Sequence, residues 1–507
     1  MTYPDTRAGR REWIGLAVLT LPALLASMDL SVLFMAAPWL TADLAPTGPQ
    51  LLWIMDVYGF LMAGLLLTMG AIGDRIGRRR LLLLGATAFG AASVLAAYAP
   101  TAELLLLARA LLGIGGATLA PSTLALLRGM FTDASQRRVA IGVWTGAFTG
   151  GIAVGPIVGG LLLEYFWWGS VFLINVPVMV LLMVLGPVLL PESRDPARGR
   201  FDLVSALLSI AAVLSLVHGV KELVHAGQPW PALAAVLAGL AAGTVFVRRQ
   251  LRRTDPLIDV RLFRDGAFSA AFGGYVMMIV GSAGLGYLAV QYLQVVLEIR
   301  PFAAALWQLP TVAATGIGIA LSTTLVRWLR PAVLAGAALL VAAIGFLVVG
   351  QVDVDTGPAA MMAAYSIVTL GTGMIVPLAI DLIVGAAPPH RAGAAAGLSE
   401  AGSELGGALG IAVLGSIAAA VYRSGLAAGV PGGVPPAASE TVGGAITVAE
   451  GLPDALADTL VTAAQRAFTD GFTTAATVMA VLLTLTAVAV VVLLRGARPA
   501  GDAQPVG

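Results

Sequence analysis

The 507-residue sequence contains no cysteine, which excludes disulfides, thiol chemistry and cysteine-based metal sites together. Lysine is nearly absent as well: Lys221 is the single one, against 28 arginines among the 29 basic residues. Neither a phosphate-binding G-x-x-x-x-G-K-[ST] loop nor an H-E-x-x-H or G-x-S-x-G motif is present, which argues against an ATP-driven pump or a membrane hydrolase. Charge of both signs is scarce, at 11% of residues where a soluble domain averages about 25%. The net charge is +1 and the arginines are spread over many short segments, so nothing points to a nucleic-acid partner.

What fills the chain instead is apolar residue, 58% of the total, with a mean hydropathy of +0.92. A bilayer core of about 30 Å needs about 20 apolar residues per helix. Runs of that kind lie near 13–39, 51–72, 80–99, 102–127, 139–163, 169–190, 203–223, 230–247, 267–297, 303–326, 331–350, 358–386, 392–422 and 471–495. The first, Trp13 to Trp39, is too long and too closely followed by a second to be a cleaved signal. Abundant Ala and Gly with a single Lys suggest the coding bias of a high-GC bacterium.

The basic residues then divide by side. Starting from the N-terminus, alternate segments carry 3, 4, 3, 3, 6, 2, 1 and 2 of them, 24 of the 29. The intervening segments hold Lys221, Arg300, Arg423 and Arg466, and Arg109 falls inside a run. Cytoplasmic loops are enriched in Lys and Arg, so this alternation predicts a multi-pass protein with both termini cytoplasmic. Arg248–Asp265 reads as a cytoplasmic connector with a short amphipathic helix. Residues 424–470 read as a long outer loop with helical pieces near Thr441–Ala449 and Asp454–Phe468, and Trp167 and Trp168 as interfacial anchors.

Four segments carry motifs. Between the second and third runs stands Gly70-Ala-Ile-Gly73-Asp74-Arg75-Ile-Gly77-Arg78-Arg79-Arg80, in which glycines allow a tight turn and Asp74 can pair near a helix end. A plain basic anchor loop would explain its arginines and leave the Gly/Asp spacing unexplained. The fourth run contains Leu105-x3-Arg109-x2-Leu112-Gly113-x-Gly115. The fifth contains Gly151-x3-Gly155-Pro156-x2-Gly159-Gly160, a face of small residues bent by proline. Trp168-Gly-x2-Phe172-x-Ile174-Asn175-x-Pro177 opens the sixth.

This ordered set resembles the major facilitator superfamily, and Gly155-Pro156 looks like the mark of its drug:proton antiporters. Fourteen runs resemble the branch with two extra helices between its six-helix halves. Trp53-x2-Asp56-Val-Tyr58, Phe131-Thr-Asp-Ala-Ser135, Pro191-Glu-Ser-Arg-Asp-Pro196 and Tyr422-Arg-Ser424 extend the likeness to the multidrug exporters of that branch. The resemblance implies an all-α membrane fold with 14 transmembrane helices, two six-helix bundles plus two extra helices. It implies domains at 1–190, 191–266 and 267–507, the last carrying the 424–470 loop. It also implies a proton-coupled multidrug efflux antiporter of a bacterial cytoplasmic membrane, monomeric and surrounded by lipid. Such a protein handles small-molecule drugs and protons and is driven by the proton gradient without a cofactor or metal. One position departs: many relatives carry Gln where this chain has Leu112, which removes a side-chain partner near Arg109.

Ionisable residues inside spans are functional candidates on physical grounds alone. Asp29 precedes Trp39 by ten residues, about 15 Å at 1.5 Å per residue, and Arg109 follows Pro100 by nine on the opposite course, so the two fall at similar depth. They can form a structural pair, a coupling site, or both. Glu400 and Glu404 are spaced i,i+4 and share one helix face. Two carboxylates so close in a low dielectric do not ionise together, so one is expected to hold a proton; hydrogen-bonded neutralisation is the alternative. Asp56 falls near the outer mouth, where water can solvate it, and Asp381 is a candidate gate or capped polar site. His218 and His225 read as interfacial. Among the aromatic residues Tyr58 and Trp144 are singled out as ligand contacts, since rings hold flat or cationic molecules. The resemblance implies proton coupling and cationic substrates at Asp29, Asp56, Glu400 and Glu404. An exporter of an endogenous natural product or lipid on the same fold remains an alternative.

Overall fold

The computed structural model describes residues 8–193, 202–225, 229–253, 256, 258–386, 392–429 and 436–495. Both chain ends, Arg194–Pro196 of the quoted series and Arg391 lie outside them. The long helices are α1 (Arg10–Leu44), α2 (Gly48–Ile76), α3 (Arg78–Ala97), α4 (Ala102–Met130), α5 (Ala134–Tyr165) and α6 (Ser170–Leu189). They continue with α7 (Leu203–His225), α8 (Pro229–Arg252), α9 (Gly266–Val296), α10 (Pro301–Leu325), α11 (Pro331–Val349), α12 (Pro358–Gly385), α13 (Ala392–Gly429) and α14 (Asp454–Leu493). Thirteen described helices are long and apolar enough to cross a bilayer, and the shorter apolar stretch Leu203–Gly219 of α7 takes the fourteenth place.

Sequence signals set the starts. Thr47 accepts a hydrogen bond from the Gln50 amide while the Gln50 side chain accepts one from the Thr47 amide, a reciprocal cap for α2. Thr101, Asp133 and Asp265 cap α4, α5 and α9 through their side chains, and Pro301, Pro331 and Pro358 open helices at positions that need no amide donor. Prolines also sit inside helices, at 22, 38, 121, 156 and 377. Packed neighbours in a bundle satisfy the carbonyls they release.

The first six helices pack α1 on α5 and α2 and α3 on α4; the last six pack α9 on α13, α10 and α11 on α12, and α11 and α13 on α14. Each set is a bundle. The two are joined along α2 and α13 and by α5 against the first residues of α10, Pro301–Trp307. A Cβ on Gly160 would stand 2.8 Å from the Pro301 carbonyl, so glycine is what permits that approach. Farther along α5, toward the Arg-rich end, Gly142, Gly146 and Gly150 have nothing within 4 Å of a built Cβ. The bundles are thus closed together at the far end, while this half of α5 stands clear.

Two connectors carry helix where it was expected and differ in extent. The stretch 424–470 is mostly helix: α13 runs on to Gly429, Asp454–Phe468 is the first part of the single 40-residue α14, and Pro436–Glu440 and Val442–Ala449 lie between. The helical pieces expected near Thr441–Ala449 and Asp454–Phe468 are both present, the second continuous with the last span. The two short helices sit over the far end. Glu440 accepts from the Gly48 amide (2.8 Å), the Tyr422 hydroxyl donates to the Ala438 and Thr441 carbonyls, and Gly443 abuts Thr41. In 248–265, among the described residues, α8 extends to Arg252 and the short helix expected there is a 3-10 turn, Val260–Arg264. Trp167 is exposed as expected of an anchor; Trp168 is buried, its indole N–H donating to Asp43 (2.6 Å).

The extra hairpin α7–α8 packs α7 against α2 and α13, covering the seam between bundles, while α8 faces outward. Its Arg-rich end is fastened by Asp202. That carboxylate caps α7 at the Ser205 amide and receives Arg249 (2.9 Å) and Arg253 (2.9 Å). Burial alone would push Asp202 up, but the Arg249 and Ser205 hydrogen bonds and the Arg253 charge outweigh it and hold the group down at about 2. Because the folded value lies below the ordinary 3.8, the anchored carboxylate stabilises the fold above that value, and the contribution disappears as pH falls toward 2. Asp202→Asn should therefore lower the thermal midpoint at neutral pH, with the gap to wild type closing between about pH 4 and 2; an unchanged gap at acid pH contradicts the assignment.

Candidate functional site

Asp29, on α1, forms an ion pair with Arg109 of α4 at 2.5 Å, both side chains buried. Arg109 also donates through Nε to the Ile54 carbonyl of α2 (3.1 Å), and its guanidinium carbon stands 4.8 Å above the Tyr58 ring. A buried Arg on a helix is costly unless its charge and donors are met. Here a carboxylate, a carbonyl and an aromatic face share that duty in part: Nη2 has no hydrogen-bond partner, and Leu112, fully buried, adds none. Tyr58 is therefore committed to Arg109 and packed beneath Gly116, where a Cβ would meet its hydroxyl at 2.9 Å. Of the two rings singled out, Trp144 is the accessible one. It donates to Thr123 (3.2 Å), stacks on Phe148 at 5.8 Å, and lies on the part of α5 that stands clear.

The glycine stripe of α5 explains how α1 holds Asp29 in place. A Cβ on Gly151 would stand 2.0 Å from Ser27 Oγ, on Gly155 2.1 Å from Ser31 Oγ, and on Gly159 3.2 Å from Val32 Cα. These contacts bracket Asp29 on both sides along α1, and Pro156 lies within the same stripe. Small residues bring the two backbones together, as membrane helices do where packing must replace a solvent-driven force.

Glu400 and Glu404 lie on one face of α13, both half-buried. Glu404 faces α2: a Cβ on Gly59 would meet the Glu404 carbonyl at 3.4 Å, its Oε2 at 3.9 Å and the Ala408 Cβ at 3.2 Å. Asp29, Tyr58 and Glu400 are all within electrostatic range of Glu404, and Tyr275 of α9 lies beside Ser403 near both glutamates. Acids from the two bundles thus approach each other through Arg109 and Tyr58. Asp381 is exposed on α12, four residues before the helix ends at Gly385.

Asp56 departs from expectation. It is buried, 1% exposed, and pairs with Lys221 of α7 at 2.7 Å; the ammonium also stands 4.1 Å above the Trp53 ring. Trp53 in turn lies against His218. Counting Lys221 as a loop cation placed it in water, whereas α7 carries it into the protein and against Asp56. The signal was available in the helix spacing: Ile210, Leu214, Val217 and Lys221 fall on one α7 face at steps of three and four.

The motif between α2 and α3 is an interlocked turn. Asp74 pairs with Arg78 at 2.5 Å, and Gly73 lies against Arg78 and Leu81. Gly77 has φ +112° with Glu192 filling the space of its missing Cβ, a backbone that L side chains avoid. Glu192, quoted from sequence only as part of a series, accepts from the Arg79 amide (3.1 Å) and lies 3.8 Å from Arg79 and Arg80. A Cβ on Gly70 would stand 4.0 Å from Arg78 and Pro121, and Arg75 lies in the last turn of α2. Among the described residues no group of three or more His, Asp and Glu side chains is placed to hold a metal ion.

Comparison with known proteins falls in line with this geometry. A family model described as Major Facilitator Superfamily matches residues 19–411. The multidrug efflux pump LfrA of Mycolicibacterium smegmatis is 45% identical over 400 residues, 79% of each chain. The methyl viologen resistance protein SmvA of Salmonella typhimurium is 35% identical over 76% of this chain and 78% of its own. Among solved structures, a bacterial homologue of the human lysosomal transporter Spinster, inward-facing and unoccupied, superposes with a TM-score of 0.65 at 17% identity. It covers 96% of this chain and 98% of that one, a likeness of fold.

Proposed function

The chain belongs to the major facilitator superfamily, and from that premise we propose that it exports lipophilic, mostly cationic compounds in exchange for protons. The observation that carries the reading is the approach of Glu404, on the second bundle, to the Asp29–Arg109–Tyr58 assembly on the first. A proton arriving at one of these acids changes the charge across the seam between bundles, and a cationic substrate competes for the same charge. Rocking of the bundles 1–190 and 267–507 about that seam then exposes the site to each side in turn. Asp29 and Arg109 set the charge of the first bundle, Glu404 and Glu400 that of the second, and the Trp144–Phe148 stack offers a flat apolar surface to the substrate. The names of LfrA and SmvA, a multidrug pump and a methyl viologen resistance protein, support cationic drugs as the substrate class.

The interlocked α2–α3 turn and the glycine stripe of α5 serve the same motion, one as a rigid corner and the other as a close bearing on α1 and α10. The concentration of arginine on alternate connectors supports cytoplasmic termini, with the 436–449 helices on the outer side of a bacterial cytoplasmic membrane. The direct test uses everted vesicles and an ethidium-like dye. Accumulation should require a proton gradient and collapse on adding an uncoupler. Accumulation that survives the uncoupler while ATP remains overturns the coupling.

A further inference from the structure

The Asp56–Lys221 pair has no part in the exchange just described, yet it brings two charges into the interior. Removing one member of a buried pair leaves an uncompensated charge, so a lone ammonium on an otherwise apolar helix face persists only with its partner. The pair lies at one end of a continuous α7 contact. Ile210 packs on Gly64, and Val213, Leu214 and Val217 pack with Trp53 and Phe60 of α2 and with Leu405, Ala408, Leu409 and Ala412 of α13. Toward α2 this contact contains an ion pair and an ammonium–indole contact; toward α13 the same cluster contributes apolar side chains. A close buried ion pair holds a fixed partner, while an apolar face tolerates sliding.

We propose that Lys221 is a positioning residue of the transport cycle, tying the α7–α8 hairpin to α2 at Asp56 so that it travels with the first bundle while α7 slides over α13. On this assignment the hairpin keeps lipid from the side of the seam where Glu404 lies. The inference rests on the alternating-access reading above. Wild-type efflux in the same vesicles keeps the two apart: if wild type shows no proton-driven efflux, that reading fails, and if wild type works, the variants below judge the tie.

The cysteine-free chain allows a covalent substitute. A Cβ on Gly64 would stand 3.7 Å from the Ile210 Cβ, within the ordinary disulfide span, and Ile210→Cys removes the Cγ1 that crowds Gly64. Three proteins are compared under oxidising and reducing conditions: Gly64→Cys/Ile210→Cys, Asp56→Asn/Lys221→Gln, and the combination of all four. Disulfide formation is confirmed by mass spectrometry and folding by monodispersity in detergent. The cysteine pair alone should transport equally well oxidised or reduced, since α2 and α7 move together. The amide pair should lose most turnover with dye affinity unchanged, and the four-fold variant should regain it on oxidation and lose it again with dithiothreitol. Reversible arrest of the cysteine pair on oxidation overturns the proposal. So does wild-type turnover in the amide pair, or a loss that the disulfide does not repair, which would assign the pair a chemical role. Should the amide pair fail to fold, oxidation of the cysteine pair still decides whether α2 and α7 move as one.

Discussion

Asp29→Asn and Glu404→Gln should each reduce proton-driven dye efflux to the level of membranes lacking the protein, while Asp381→Asn should leave most of it. The first two remove an acid from the charge assembly that spans the bundles; Asp381 lies exposed near the end of α12. The effects should differ in kind. Asp29→Asn leaves the buried Arg109 with no carboxylate, and breaking a buried pair from one side costs about 3–5 kcal/mol, so stability should fall with activity. Glu404→Gln replaces a half-buried acid on a seam by an isosteric amide and should fold normally. Counterflow separates the steps: dye exchange without a gradient should survive in Glu404→Gln if the glutamate serves the proton. Undiminished gradient-driven efflux in both variants would remove these carboxylates from the mechanism.

A cross-link over the seam should stop transport outright. A Cβ on Gly59 would lie 3.2 Å from the Ala408 Cβ, a few tenths of an ångström inside the usual separation of about 3.5–4.5 Å for disulfide-linked residues. Gly59→Cys/Ala408→Cys should oxidise readily, and with no native cysteine the oxidant has no other thiol to reach. Efflux should vanish on oxidation and return with dithiothreitol, because α2 and α13 belong to opposite bundles. The contrast with Gly64→Cys/Ile210→Cys, on the same helix and five residues away, is informative: one bond joins parts that must separate and the other parts that move as one. If both bonds arrest transport, the hairpin is not a passenger of α2. If neither does, the seam does not open.

Much of this arrangement can be read from the chain without coordinates. The Asp29–Arg109 pair follows from counting residues inward from two span ends, because rise per residue fixes depth and hydrocarbon forces opposite charges together. The face shared by Glu400 and Glu404 follows from helical spacing. Lys221 and Asp56 were hidden for a complementary reason. Each lies close to the end of its apolar run, where water is the default partner; spacing puts Lys221 on the apolar face of α7, and packing then lays that face over Asp56. Glu192 escaped because its role is to meet Gly77, whose positive φ is a property of the folded turn. Tyr58 looked like a ligand contact by residue type and is occupied by Arg109, a competition that composition does not reveal.

The far-end helices of residues 436–449 are fastened by polar bonds and by apolar packing together. Polar attachments to the helices beneath include the Glu440 bond to the Gly48 amide and two carbonyl bonds from the Tyr422 hydroxyl, while Ala438, Val442, Ala445 and Ala449 are buried in the core and Gly443 rests on Thr41. Neutral hydrogen bonds contribute about 0.5–1.5 kcal/mol each and one to a charged group about 1.5–3 kcal/mol. The buried apolar side chains add to those bonds, so parting these helices from the bundles means breaking polar and apolar contacts together. If the chain works by the proposed exchange, an opening at this end has to draw on the same step that parts the bundles.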